Sequence, residues 1–278
     1  MTRLKEKDVN QITAALGDYN EELVRTTGCS LNEIAALASG KEIDCPDKQN
    51  PLVAVIPMTC GQGIIEGFVE SVAGIIAYLG FQAVVTKNSD AGGVAEAVKK
   101  GADILFMADD DQFVAINIRT GKVSDNGEAT GKGYVTGLEC MCHGLEGKKV
   151  LLLGAGPVGS SAALALVRKG AVVSVFDINI AASQRLSGVI EGLGFSVNIV
   201  TDLESSLAGH QIFVDACPAE KVIDSRYITK DTMIAAPGIP LGVQAEGLKQ
   251  RLTDRLLHDP LQIGVATMLW EVFESQKL

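Results

Sequence analysis

Long apolar runs are missing from this 278-residue chain. Its most apolar stretch, Ile64 to Val85, is broken by Glu66, Glu70 and several glycines, well short of the roughly 20 apolar residues of a membrane span. The first residues include Arg3, Lys5, Glu6, Lys7 and Asp8, where a signal peptide would have an apolar centre. The expectation is a soluble, cytoplasmic protein with no membrane partner. Excess positive charge is also missing: the formal net charge is -10, which argues against a nucleic-acid partner held through its phosphates. Histidine is scarce, with only His143, His210 and His258. No imidazole therefore stands in the first half to activate Cys60 as a nucleophile, and covalent catalysis is disfavoured. Cys29, Cys45, Cys60, Cys140, Cys142 and Cys217 are scattered, which suits free thiols in a reducing compartment better than a disulfide framework. Cys140, Cys142 and His143 come nearest to a metal cluster, but no second pair stands at zinc spacing, so no metal is expected. Internal repeats and low-complexity segments are absent.

What is present is a globular composition, 47% hydrophobic and 21% charged, in a chain long enough for two ordinary domains. Near its middle, Lys148 to Gly159 reads Lys-Lys-Val-Leu-Leu-Leu-Gly-Ala-Gly-Pro-Val-Gly. A strand, Val150 to Leu153, runs into Gly154, Gly156 and Gly159, with Pro157 and Val158 between them, and a helix-forming run, Ser160 to Val167, follows. That order suits a dinucleotide: a tight turn, close approach of backbone to pyrophosphate, and a helix N-terminus facing the phosphates. A second strand, Ala171 to Phe176, ends at Asp177. A carboxylate there accepts hydrogen bonds from an adenosine ribose diol and repels a 2′-phosphate, which favours NAD over NADP. The same acid also suits a helix cap.

The wider pattern is α/β. Val9, Ile12, Leu16, Tyr19 and Leu23, then Leu31, Ile34 and Leu37 beyond Gly28, predict two amphipathic helices. Lys41 to Asn50 reads as a linker. Strand Leu52 to Ile56, helix Ile64 to Leu79, strand Gln82 to Thr86, helix Val94 to Lys99 and strand Ile104 to Met107 predict a small parallel sheet with helical crossovers. Asn117 to Lys132 reads as a polar loop or short hairpin, followed by a helix from Tyr134 to His143. After Asp177 come a helix to Leu193, strand Phe195 to Val200, helix Leu203 to Leu207 and strands Ile212 to Ala216 and Met233 to Ala236. An amphipathic helix closes the chain, with Val265, Met268, Leu269, Val272 and Phe273 on one face. The predicted organisation is an N-terminal helical and α/β substrate domain over 1–143 and a Rossmann NAD-binding domain over 144–258. The C-terminal helix, within 259–278, is expected to pack back across both.

Ligands of such sheets sit beyond the carboxyl ends of the strands. That rule makes Cys217, Pro218, Pro237 and Gly238 candidates to flank a nicotinamide, although turn chemistry explains them equally well. Strand Ile104 to Met107 leads into Ala108, Asp109, Asp110 and Asp111, either a solvated acidic turn or a seat for a cationic substrate group. Thr59 to Gly63 offers backbone amides to a substrate carboxylate. It lacks the Gly-Lys-Ser/Thr ending of a phosphate loop. Asn126, Thr130 and Gly131 are further candidates from the polar segment.

With these residues in view, the chain resembles the pyrrolysine synthase family over nearly its whole length. The likeness rests on Thr59-Cys60-Gly61-Gln62-Gly63-Ile64-Ile65, Met107-Ala108-Asp109-Asp110, Thr130-Gly131 and the Gly154 to Gly159 loop. It continues in Ala236-Pro237-Gly238-Ile239-Pro240, Pro260-Leu261-Gln262-Ile263-Gly264 and Thr267-Met268-Leu269. The Met-Ala-Asp-Asp and Pro-Gly-Ile-Pro segments are the more specific. The resemblance implies NAD-dependent oxidation of the terminal amine of 3-methyl-D-ornithine linked to the side-chain nitrogen of L-lysine. Ring closure with loss of ammonia follows. It also implies that Asp109 contacts the amine as base or anchor, that Leu4 and Ala108 form part of an apolar pocket, and that Thr59, Cys60 and Asn126 make polar contacts. The family pattern has Ser where this chain has Cys60, which changes the hydrogen bonding there. A homodimer is compatible with all of this.

Two other readings remain at this point. One is a two-domain dehydrogenase of the shikimate or methylene-folate kind, which would use a lysine such as Lys87 or Lys132. The other is a non-catalytic NADH sensor, whose domain angle would report on cofactor.

Overall fold

The computed structural model describes residues 4–42, 51–243 and 252–274. All but the first two residues of the expected linker, Cys45 and Pro46 among them, lie outside these residues. The chain divides into two compact units, Met1–Glu21 with Ser30–Ala129 and Pro260–Leu278, and Glu22–Cys29 with Thr130–Asp259. No described helix is long and apolar enough to cross a membrane.

Val9 is split from the expected first helix into a separate single turn, α1 (Glu6–Val9), and the two N-terminal helices then form as expected, α2 (Ile12–Thr27) and α3 (Leu31–Ala38). The break falls at Gly28, whose φ of 76° lies in the left-handed region. Ser30 then caps α3, its hydroxyl accepting from the Glu33 amide while Glu33 accepts from the Ser30 amide.

The first unit is built on a five-stranded sheet in the order β2-β1-β3-β4-β5. Its elements are β1 (Leu52–Ile56), α4 (Phe68–Tyr78), β2 (Gln82–Val85), α5 (Asp90–Lys99), β3 (Ile104–Ala108), β4 (Phe113–Asn117) and β5 (Val123–Asp125). β1 pairs in parallel with β2 and β3, the expected crossovers. The sheet then continues antiparallel through β4 and β5, so it is mixed rather than wholly parallel. Of the two readings of 117–132, the short hairpin holds for its first part, where β4 turns back into β5, and the rest is the start of a helix. Phe113 to Asn117 alternates buried and half-buried residues as a strand does, and the Asn117 side-chain oxygen holds the following turn by accepting from the Arg119 and Thr120 amides. Helix α6 (Asn126–Cys142) begins eight residues earlier than its apolar periodicity suggests. α4 begins later than expected, because Gly67 at φ 80° ends a turn in front of it.

The C-terminal helix, Gln262–Val272, differs from the amphipathic expectation. It is buried on nearly every side, as a helix apolar all round must be. It packs on α3, α4, β4 and β5. Trp270, Phe273 and Phe81 meet edge to face, with ring centroids 5.0–6.4 Å apart. Polar groups fix its C-terminal end: the Trp270 indole donates to Asn32 at 2.9 Å, and Lys41 donates to the carbonyls of Trp270 and Phe273.

The second unit carries a six-stranded sheet in the order β11-β10-β9-β6-β7-β8, every pair parallel. The strands are β6 (Lys149–Leu153), β7 (Val172–Phe176), β8 (Asn198–Ile199), β9 (Ile212–Asp215), β10 (Met233–Ala235) and β11 (Leu256–Leu257). They alternate with α7 (Pro157–Arg168), α8 (Ile180–Gly192) and α9 (Leu203–Ala208). Read outward from β6, this is the doubly wound order of dinucleotide-binding folds, with its switch point between β6 and β9. Leu151, Leu153, Phe213 and Ile234 fill one face of the sheet. Each such side chain contributes about 1.5–3 kcal/mol on burial.

Candidate functional site

In the second unit the glycine loop leaves β6 at the switch point. Gly154, at φ 93°, turns the chain, and its amide donates to the Phe176 carbonyl at 2.8 Å. Gly156 is the N-cap of α7, with Pro157 in its first turn, where a missing N–H costs nothing. Gly159 is required by contact: a Cβ there would stand 2.0 Å from the Gly154 carbonyl oxygen. At Gly156 a Cβ would meet no atom within 4 Å. The outer side of the loop is therefore open at the N-terminus of a twelve-residue helix, which fits the pyrophosphate of a dinucleotide.

Asp177 follows β7 and is held in place rather than swinging freely. Its carboxylate accepts from the Ala155 amide at 2.8 Å and from the Asn179 amide at 2.8 Å. It thereby links the glycine loop to the N-cap of α8, serving both structure and charge.

The loops after β9 and β10 meet beside the glycine loop. The Gly238 amide donates to the Asp215 carbonyl at 2.8 Å, and a Cβ on Gly238 would lie 2.3 Å from the Cys217 carbonyl oxygen. A Cβ on Gly154 would lie 3.1 Å from the Ala216 carbonyl oxygen. The fold thus brings Gly154, Cys217 and Gly238 together, with Pro218 and Pro237 next in sequence. Burial, reinforced by the neighbouring Asp215, pushes the Cys217 thiol up to about 12, so it stays neutral.

Sequence reasoning missed one residue here. Asp215 ends β9 fully buried; burial lifts its pKa to about 6, against the pull of the Cys217 and Gly242 amides. One carboxylate oxygen accepts from the Cys217 amide at 3.1 Å, while the other lies against Gly242. An acid at the end of an apolar strand, Val-Asp-Ala-Cys-Pro, was the available signal. Gly131, a candidate of the polar segment, is placed differently from the expectation. It lies in α6, not in a loop, and a Cβ there would meet the Val158 carbonyl at 2.6 Å and the Ala162 amide nitrogen at 2.7 Å, so α6 crosses tightly over the start of α7.

In the first unit the candidates cluster at the carboxyl ends of β1 and β3. Ala108 is the last residue of β3, and Asp109 follows, exposed. One oxygen of Asp109 accepts from the Asp111 and Gln112 amides, each at 2.8 Å. The Gln112 and Asp111 amides hold this carboxyl below the usual carboxylate range. Asp110 accepts from the Gln62 amide at 2.7 Å, tying this turn to the Thr59 to Gly63 loop. The Thr59 amide and hydroxyl both donate to Asp90, the first residue of α5. Cys60 is exposed between these fixed points. Asn126 begins α6 and its amide points at Met268 Sδ, 3.4 Å away. Leu4, half-buried, lies just before α1. Lys87 follows β2 and Lys132 lies within α6. Among the described residues, no three His, Cys, Asp or Glu side chains gather as a metal site.

Comparison with known proteins gives this geometry a family. Residues 8–124 match the family described as pyrrolysine biosynthesis protein PylD, N-terminal domain. Residues 126–242 match alanine dehydrogenase/PNT, C-terminal domain. Pyrrolysine synthase of Methanosarcina acetivorans is 32% identical over 98% of this chain and 100% of that protein. Its counterpart in Methanosarcina barkeri is 29% identical, covering 98% of each. Among solved structures, quinate dehydrogenase from Corynebacterium glutamicum in complex with NAD superposes with a TM-score of 0.56 at 19% identity, covering 80% of this chain and 93% of that one. A shikimate dehydrogenase in complex with NADP+ gives 0.54 at 16% identity, covering 81% and 91%. At such identities these structures speak to the fold alone. The chain belongs to the pyrrolysine synthase family, Rossmann-type oxidoreductases of pyrrolysine biosynthesis.

Proposed function

We propose that the protein oxidises the terminal amine of 3-methyl-D-ornithyl-N6-L-lysine with NAD and closes the pyrroline ring of pyrrolysine. The reading rests on the full-length kinship to pyrrolysine synthases. It is supported by a dinucleotide loop whose ribose-side residue is an anchored carboxylate, Asp177. NAD, when bound, supplies the hydride acceptor. The amine carbon becomes an imine, the ornithyl α-amine adds to it, and ammonia leaves.

In this reading Gly154, Gly156, Pro157, Val158 and Gly159 hold the pyrophosphate, and Asp177 accepts from the adenosine ribose and disfavours a 2′-phosphate. Cys217, Pro218, Pro237 and Gly238 wall the nicotinamide side. Asp109 receives the substrate's ammonium. An ammonium releases no hydride until it loses a proton and regains its lone pair, so a proton acceptor is required. The amides that keep Asp109 ionised also make it a weak base. It therefore acts chiefly as anchor, and water carries the proton away. Thr59, Cys60 and Asn126 offer polar contacts, and Leu4 and Ala108 apolar ones. Ring closure is intramolecular and needs only a folded substrate, since effective molarities for such closures reach about 10⁵–10⁸ M.

Incubation of the purified protein with NAD and the lysine-linked methylornithine tests this. The expected result is NADH formation with a product lighter than the substrate by ammonia and two hydrogens. NADH binding with no turnover of this amine would instead support the sensor, and turnover of a hydroxy acid dependent on Lys87 or Lys132 would support the shikimate-like reading.

A further inference from the structure

The sulfurs of Cys29 and Cys140 stand 2.8 Å apart, although both are free thiols. A disulfide bond measures about 2.05 Å, so a shift of less than about 1 Å joins them. Neither thiol is brought there by a loose segment. Cys29 follows Gly28 at the end of α2, where the Thr27 hydroxyl accepts from the Cys29 amide at 3.1 Å and donates to the Leu23 carbonyl at 2.8 Å. Cys140 lies in the last turn of the seventeen-residue α6. Beside it, Glu139 and Lys169 pair at 2.5 Å. Both cysteines belong to the second unit, and both are half-buried.

We propose that Cys29 and Cys140 form a reversible disulfide by exchange with an external disulfide of the glutathione class. The pair clips together two segments 111 positions apart and plays no part in the chemistry proposed above. Only a thiolate attacks a disulfide, and either cysteine of the pair can open the exchange. It gives up its proton, bonds to one sulfur of the oxidant and releases the other as a thiol. Its neighbour then gives up its proton and displaces the second thiol from the mixed disulfide. Two protein thiols are oxidised, one external disulfide is reduced to two thiols, and the reverse exchange restores the starting state. Reversible pairs of this kind, rather than permanent ones, are what a reducing compartment permits.

The experiment uses the full chain and oxidised glutathione. The expected product has lost two hydrogens in intact mass, shows two fewer titratable thiols after denaturation, and yields a Cys29–Cys140 peptide on non-reducing digestion. Dithiothreitol reverses all three. Cys29→Ser and Cys140→Ser should each abolish the bridge, leaving glutathione attached at the remaining cysteine of the pair. An unchanged thiol count, glutathione attached only at Cys60, or a bridge between other cysteines would overturn the proposal. The wild-type mass and peptide decide the question even where a variant folds poorly.

Discussion

Oδ2 of Asp215 lies so close to Gly242 that a Cβ on that glycine would stand 2.0 Å from it and 3.3 Å from the Ala219 carbonyl oxygen. Asp215 is fully buried and its other oxygen is committed to the Cys217 amide, so the carboxylate has nowhere to retreat. Gly242→Ala should therefore cost about 1–3 kcal/mol of stability, the usual penalty of overpacking. Thermal denaturation measures it. An unchanged midpoint would mean that the loop after β10 yields easily and does not brace this carboxylate.

The same buried acid sets a pH dependence. Its pKa rises from 3.8 in the unfolded chain to about 6 in the fold, chiefly through burial. The folded state thus holds a proton that the unfolded state has released, and the stability this confers is present below about pH 4 and lost as pH rises through about 6. Asp215→Asn carries no charge and escapes that loss. Compared with wild type, its relative stability should improve by about 2–3 kcal/mol between pH 4 and pH 7. Denaturant unfolding of both proteins across that range checks the prediction, and parallel curves would refute it.

In the proposed reading, cofactor choice turns on Asp177. Replacing it with Ser removes the charge and weakens the links to the Ala155 and Asn179 amides. Hydrogen bonds to charged groups are worth about 1.5–3 kcal/mol, so NAD affinity should fall roughly tenfold to a hundredfold. NADP, no longer facing a carboxylate, should lose less or gain. Titration of both nucleotides gives the ratio of their affinities. A ratio equal to that of the wild type would remove Asp177 from the cofactor site.

Much of this was legible in the sequence because local signals and packing agree there. The strand ending at Leu153, the glycines of the turn and Asp177 all appear where their spacing put them. The failures have physical causes. Phe113 to Asn117 pairs antiparallel with β3 after a four-residue turn, and its alternation was hidden beside an acidic run. The start of α6, Asn126-Gly-Glu-Ala-Thr-Gly-Lys-Gly, has glycines that lower helix propensity. Gly131 is there for a tertiary reason, the close crossing over α7. Asp215 looked like the end of one more strand, since only the three-dimensional fold shows that it is sealed from water.

Asp109 offers a clean separation of charge from structure. Its Oδ1 accepts from the Asp111 and Gln112 amides, and an Asn side chain can keep both bonds through its own oxygen. Asp109→Asn should therefore fold with stability within about 0.5 kcal/mol of wild type and bind NAD normally. Asp109→Ala loses both bonds and should lose about 1–2 kcal/mol. If the carboxylate anchors the ammonium, the Asn variant raises KM for the amine substrate more than it lowers kcat. If it also accepts the proton, kcat falls as well, by about 10²–10⁴. Steady-state kinetics at saturating NAD distinguish the two, and near-normal kcat/KM in a well-folded Asn variant would show that this acid is only the cap of its turn.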